Sequence, residues 1–270
     1  SMQVYKELKI LSARPDPKDY QKITHHLYGF HNVKKSFSTG DWIKLAVKKI
    51  NELKKRKKTP IFVGGTGLYF KALTDGLVNI PNIPVRSRNK IRVLQETLGQ
   101  KKFYQKLLKF DLKSKNKINP TDVQRSIRAY EVKLFTKKSL HDWFRKTKSY
   151  FKEDEFFKIY IDFPREELIK RISKRTNLMM KLGAINEVKK FNSIKLNKSL
   201  SANKLIGVQE INSYLKNNID LKQCKELINI KTRQYAKRQN TWARGHMKNW
   251  NKVYSKDFSQ LLKKTLKVVS

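Results

Sequence analysis

Pro60-Ile61-Phe62-Val63 runs without a spacer into Gly64-Gly65-Thr66-Gly67, and then into Leu68-Tyr69-Phe70-Lys71-Ala72-Leu73. A short β-prone run, a glycine turn and an apolar helical segment in immediate succession predict one βα unit of a parallel sheet. This is the strongest constraint in the sequence, because parallel strands need crossover helices and bury both faces of their sheet. A second strand is expected over Phe156-Phe157-Lys158-Ile159-Tyr160-Ile161-Asp162-Phe163, which Pro164 terminates. From Val85 to about Asp154 the pattern is helical and polar with no convincing strand. Residues 82–155 therefore read as a helical insertion in an α/β core built from 1–81 and 156–270.

Helices frame both strands. Ile43, Ala46, Val47, Ile50 and Leu53 recur at helical spacing over 41–56, with Ser38, Thr39 or Asp41 as candidate caps and the basic run Lys54–Lys58 at the far end. A helical pattern spans 165–192 with Gly183 inside it, and its methionine pair reads as core packing. A last long helix is expected from about Leu221 to Trp250. A chain of 270 residues with 39% hydrophobic residues has enough apolar material for a core. No apolar run approaches the ~20 residues needed to cross a bilayer. The lone cysteine, Cys224, can form neither an internal disulfide nor a cysteine-based metal site, which suits a reducing, cytoplasmic setting.

The net charge of +40 favours polyanions. Most of the 62 basic residues are lysines spread along the whole chain, so the arginine positions are the more informative. Three constellations carry chemistry. The Gly64-Gly65-Thr66-Gly67 turn lets backbone approach an anion at a helix start, and Thr66 adds a hydroxyl; the same turn also serves plain helix–strand packing. In Asn119-Pro120-Thr121-Asp122-Val123-Gln124-Arg125-Ser126-Ile127-Arg128, Asn119 is expected to cap a helix with Pro120 at its first position. There Gln124 and Arg128 share a face beside Arg125, ready for phosphate or a base edge, or simply an ion-paired surface. The third is Lys231 to Arg244, where arginines interleave with Tyr235 and Trp242, combining charge with stacking surface. Trp242 fits equally as a core anchor. His25 and His26 have no metal-like spacing, and no nucleophile–histidine–acid pattern is present.

Taken in order, Ser1-Met2-Gln3-Val4-Tyr5-Lys6, His25-His26-Leu27, Val63 to Tyr69, Leu73-Thr74-Asp75-Gly76-Leu77, Gln124 to Glu131, Met180-Lys181-Leu182-Gly183-Ala184 and Lys237-Arg238-Gln239-Asn240-Thr241-Trp242 resemble the bacterial tRNA dimethylallyltransferase family, also called tRNA isopentenyltransferase. The resemblance covers essentially the whole chain. It implies a P-loop NTPase-like parallel sheet core with an α-helical insertion that clasps a tRNA anticodon stem-loop. The implied reaction moves a dimethylallyl group from dimethylallyl diphosphate to N6 of the adenine next to the anticodon, position 37, with Mg²⁺ as cofactor and the protein acting as a monomer. By the same resemblance, Thr66 lies near the attacking amine, Arg86 near the substrates, and Gly64 and Gly65 at the diphosphate. Ser1, Met2 and Gln3 line the adenine site; Gln124, Arg125, Ser126, Ile127 and Arg128 contact the anticodon loop. Lys237, Arg238, Gln239, Thr241, Trp242 and Arg244 hold the tRNA strand.

The sequence departs from the family twice. No G-x-x-x-x-G-K-[ST] loop occurs in residues 1–270, and the family's general-base aspartate would directly precede Ser1. The chain therefore reads as a fragment lacking the first strand, the phosphate loop and the main Mg²⁺ ligand, and as inactive by itself. In Ile206-Gly207-Val208-Gln209-Glu210, Gln209 stands where the family commonly has arginine. Two rivals share some features: an adenylate dimethylallyltransferase, which would need neither the insertion nor the basic C-terminal helix, and a non-catalytic RNA-binding protein.

Overall fold

Ser38 starts the first helix, α1 (Thr39–Lys55), with a reciprocal cap: its side chain accepts from the Asp41 N–H while the Asp41 carboxylate accepts from the Ser38 N–H. Of the candidate caps, Ser38 is thus the one used. The computed structural model describes residues 1–21, 23–197 and 200–269. The chain divides into two compact units, Ser1–Phe70 with Glu153–Ser270, and Lys71–Lys152. These boundaries differ from the expected 82 and 155. The sequence reading split the chain where prolines interrupt the pattern, whereas Thr74 accepts a hydrogen bond from the Ser149 hydroxyl at 2.8 Å and so belongs with the later helices.

In the first unit, α2 (Gly67–Thr74) opens at the glycine turn; its last four residues, from Lys71 on, belong to the second unit. Strand β1 (Ile159–Asp162) pairs in parallel with β2 (Asn251–Tyr254), register Ile159 to Asn251 through Asp162 to Tyr254. Between and after them lie α6 (Arg165–Lys181), α7 (Ala184–Ser193), α8 (Val208–Leu215), α9 (Leu221–His246) and α10 (Phe258–Val269). The core of this unit gathers Leu8, Val33, Met179, Val188, Phe191, Ile211, Cys224 and Ile228. Met179 is buried in this core, as expected of the methionine pair, and Met180 packs against it.

Three expectations are corrected. Pro60–Val63 forms no strand: a strand exists only where a neighbour completes its ladder, and Ile61 and Val63 are left 81% and 79% exposed. The helix expected over 165–192 is two, because Gly183 takes φ +96°, a left-handed conformation that ends α6 and turns the chain into α7. The last helix stops at His246 rather than Trp250, and the residues after it form β2. A short polar segment gives little strand signal when its partner lies so far back in the chain.

The second unit is helical, as the insertion was expected to be: α3 (Val85–Phe110), interrupted at Gly99, then α4 (Val123–Thr136) and α5 (Leu140–Phe144). Phe103 and Leu107 from α3 and Ala129 and Val132 from α4 are fully buried at its centre. The cap of α4 is Asp122, whose carboxylate accepts from the Arg125 N–H at 2.9 Å. Asn119 instead closes a local turn onto the Thr121 N–H, also at 2.9 Å. The helix therefore begins after the proline, because a carboxylate was available closer to its free N–H groups.

Burial pushes the Cys224 thiol up to about 11, with Glu210 adding to the effect, and the side chain is inaccessible. A thiol held protonated and covered is a poor nucleophile. Native protein at pH 8 is expected to resist alkylation by iodoacetamide and to label fully in denaturant; rapid labelling of folded protein, followed by mass spectrometry, would contradict this packing.

Candidate functional site

The glycine turn is held from three sides by groups far away in sequence. The Ser1 backbone nitrogen donates to Thr66 Oγ1 at 3.1 Å. Gln239 on α9 donates from Nε2 to the Gly65 carbonyl at 2.9 Å. A Cβ on Gly67 would fall 2.3 to 2.6 Å from three contiguous atoms of the Trp242 ring, so only a glycine lets the indole lie against the backbone there. By contrast, a Cβ on Gly64 would meet nothing within 4 Å. The Thr66 carbonyl accepts from the Tyr69 N–H at 2.9 Å and so begins α2, leaving the hydroxyl half-exposed at the helix start.

The α9 end is as basic and aromatic as its sequence indicates. Lys237, Arg238, Thr241 and Arg244 are exposed, and the Arg238 guanidinium lies 5.7 Å over the Tyr235 ring. Trp242 also stacks on His246, centroids 4.4 Å apart and planes within 3°. His246 was absent from the sequence reading, although its i,i+4 spacing from Trp242 was available as a signal. Asn240, inside the Lys237–Trp242 motif, accepts from the Tyr160 hydroxyl at 3.2 Å and ties α9 to β1. Behind the turn, Tyr69 stacks on Trp42 at 4.2 Å, and burial pushes its phenol up to about 12.

Of the N-terminal residues, Ser1 reaches Thr66, whereas Met2 packs against the core and Gln3 donates to the Ala13 carbonyl at 2.8 Å. Gln209 is exposed on α8. In the second unit Arg86 lies in an open hollow with Val85, Asn89, Lys90 and Val93. Gln124 and Arg125 are exposed on α4, and Arg125 pairs with Asp122 at 3.2 Å. Arg128 pairs with Glu131 at 3.4 Å. Ser126 and Ile127 are buried. Helical periodicity turns both inward, with exposures of 0% and 7%, and the Ser126 hydroxyl accepts from Gln100 Nε2 at 3.2 Å.

Among the described residues no group of three or more His, Cys, Asp or Glu side chains comes together as a metal cluster. Magnesium keeps several waters and takes one or two carboxylates together with substrate phosphates, so its binding does not require such a cluster.

A parallel-stranded α/β unit with a glycine–threonine turn against a basic aromatic helix end, and a separate arginine-bearing helical unit, define an α/β protein with a helical insertion. The profile of one family, IPP transferase, matches residues 3–246. The tRNA dimethylallyltransferase of Pelagibacter ubique is 55% identical over 253 residues, covering 94% of this chain and 81% of that protein. That of Rickettsia conorii is 38% identical over 274 residues, covering 100% of this chain and 75% of its own length. The chain belongs to the IPP transferase family. Among solved structures, a Staphylococcus epidermidis tRNA delta(2)-isopentenylpyrophosphate transferase superposes with TM-score 0.66 at 29% identity, covering 100% of this chain and 88% of that one. A eukaryotic dimethylallyltransferase acting on tRNA superposes with TM-score 0.82, covering 100% of this chain and 69% of that one; at 24% identity this speaks for the fold alone.

Proposed function

We propose that this chain carries out the tRNA-handling and adenine-presenting part of dimethylallyl transfer to N6 of the adenine next to the anticodon. In that reaction the N6 lone pair attacks the allylic C1 of dimethylallyl diphosphate, the C1–O bond breaks, pyrophosphate leaves with the electron pair, and a base takes the N6 proton. The adenine reaches the reaction chamber by leaving its stack. The observation that carries the reading is the convergence of Ser1, Gly65, Thr66 and Gly67 with Gln239 and Trp242 of α9. It joins a hydroxyl that can hydrogen-bond the reacting amine to a helix that can grip an RNA strand. Gln124, Arg125 and Arg128 supply a second basic contact on the helical unit. Such a unit has no use in prenylating a free adenine nucleotide, which favours tRNA as the acceptor.

The diphosphate is placed at Gly64 and Gly65, and no glycine-rich loop ending in Lys-Ser or Lys-Thr occurs within residues 1–270. Mg²⁺ would shield the leaving diphosphate when bound. No helix among the described residues is long and apolar enough to cross a membrane, and the reading carries a monomeric protein of the cytoplasm. The test is a single-turnover assay with radiolabelled dimethylallyl diphosphate and an anticodon stem-loop. The 270-residue chain is expected to bind the stem-loop without transferring the label. Extension upstream through a loop ending in Lys-Ser or Lys-Thr is expected to restore transfer. Failure of the chain to bind the stem-loop, or turnover without the extension, would overturn this division of labour.

A further inference from the structure

One indole lies against both arms of the glycine turn. Trp42, on the first turn of α1, stacks on Tyr69 after the turn, with centroids 4.2 Å apart and planes within 19°. The same ring meets Phe62, before the turn, edge-on at 6.1 Å. Phe62 is half-buried between Ile61 and Val63, which face solvent, so the extended segment turns only that ring inward. Pro60–Val63 makes no ladder, and the contact with Trp42 fixes what a neighbouring strand would otherwise fix. After the turn, the Tyr69 N–H donates to the Thr66 carbonyl at 2.9 Å, which couples the Tyr69 ring to the residue that carries the hydroxyl. Trp42 is itself a fixed support. It is 8% exposed, its N–H donates to the Ser38 carbonyl at 3.0 Å, and the buried Ile43, Ala46 and Ile50 seat α1. Whereas α9 holds the turn at Gly65 and Gly67, Trp42 holds the two arms.

We infer that Trp42 is a positioning residue for the transfer reaction: by packing on Phe62 and Tyr69 together it sets the path of residues 63–67, and with it the direction of the Thr66 hydroxyl. The reacting role of Thr66 rests on the function proposed above; the bracing of the turn does not. Flat, rigid rings suit this task, because stacked and edge-on contacts each fix an orientation as well as a distance. A leucine at position 42 fills part of the same volume but offers neither face nor edge, so the two arms lose their common reference. Were Trp42 only a filler of the core, its loss would reduce the amount of folded protein and leave the folded fraction reacting at the normal rate.

The test separates those outcomes by single-turnover kinetics, with radiolabelled dimethylallyl diphosphate and an anticodon stem-loop, on the chain extended upstream through its phosphate loop. Lost folded protein lowers the amplitude of the single turnover, whereas a displaced hydroxyl lowers its rate constant. Trp42→Leu is expected to lower the rate constant about tenfold, a fraction of what a full 1 Å misplacement costs. Its affinity for the stem-loop is expected to stay at the wild-type value. Trp42→Phe, which keeps a flat ring, is expected to recover most of the rate constant. Phe62→Leu leaves α1 intact and loosens one arm alone, so it is expected to give a smaller fall of the same kind; it decides the matter if Trp42→Leu does not fold. In the 270-residue chain, amide hydrogen exchange at Tyr69 is expected to quicken in Trp42→Leu relative to the amides of the core. Rate constants at the wild-type value, with or without a lower amplitude, overturn the positioning role, as does unchanged exchange at Tyr69. A wild-type extended chain that transfers no label overturns the proposed function and the positioning role with it, whereas an active wild type with unaffected variants overturns the positioning role alone.

Discussion

Glu187→Ala is expected to destabilise the α/β unit by roughly 3 kcal/mol, given that a hydrogen bond to a charged group contributes about 1.5–3 kcal/mol and three part-buried donors lose theirs. The Glu187 carboxylate, in the first turn of α7, accepts three consecutive backbone N–H groups: Lys9 and Ile10 on Oε1 at 2.7 and 2.8 Å, and Leu11 on Oε2 at 2.9 Å. These donors point to one side in a turn that makes no ladder, so nothing else satisfies them. The same turn continues to Ala13, whose carbonyl takes the Gln3 amide, and to Arg14, which donates to the Tyr5 carbonyl at 2.9 Å. Losing Glu187 therefore loosens the segment that brings Ser1 to Thr66. Glu187→Gln keeps one carbonyl oxygen and should lose less than Glu187→Ala. Urea unfolding monitored by circular dichroism checks the order; a Glu187→Ala midpoint equal to wild type would show that the turn holds without its acceptor.

Nothing in the sequence pattern marked Glu187, and the reason is physical. An acidic residue near a helix start already has a local explanation in the helix dipole, so its long-range partners stay invisible. The same holds for Glu131, which reads as an i,i+3 partner of Arg128 until its burial is known. By contrast, Thr66, Gln239 and Trp242 were legible because the turn and the basic aromatic helix each carry a local composition that little else explains. Their meeting was not legible, since it depends on a close approach that only the packed backbone reveals. Strand expectations fared according to partners. Ile159–Asp162 found Asn251–Tyr254, while Ile61 and Val63, equally β-prone, remained exposed without a ladder. Propensity nominates a strand, and pairing decides it. Ser126 and Ile127 sit inward for a related reason: a motif read as a string includes residues that a helix turns toward its core.

Gly67→Ala is expected to lower the rate of transfer on the order of 100-fold in a transfer-competent chain, because a misplacement of about 1 Å near reacting groups costs about that much. The added methyl would lie 2.3 Å from Trp242 Cδ2, and the indole cannot swing aside freely: His246 stacks on it and α9 is anchored through Asn240 to Tyr160. The turn must therefore move, and with it Thr66 and the Gly65 carbonyl that Gln239 holds. Overpacking of this kind typically costs about 1–3 kcal/mol of stability, so the protein should remain folded while its site is displaced. Gly64→Ala is the matched control for folding, since its methyl meets no protein atom and should leave stability near wild type. Trp242→Leu removes the ring that the methyl strikes. If the steric account holds, the double variant Gly67→Ala/Trp242→Leu recovers part of what Gly67→Ala loses, and the cycle shows coupling rather than additivity. A Gly67→Ala rate equal to wild type, or strictly additive effects of Gly67→Ala and Trp242→Leu, would mean that the contact between turn and helix does not position the Thr66 hydroxyl.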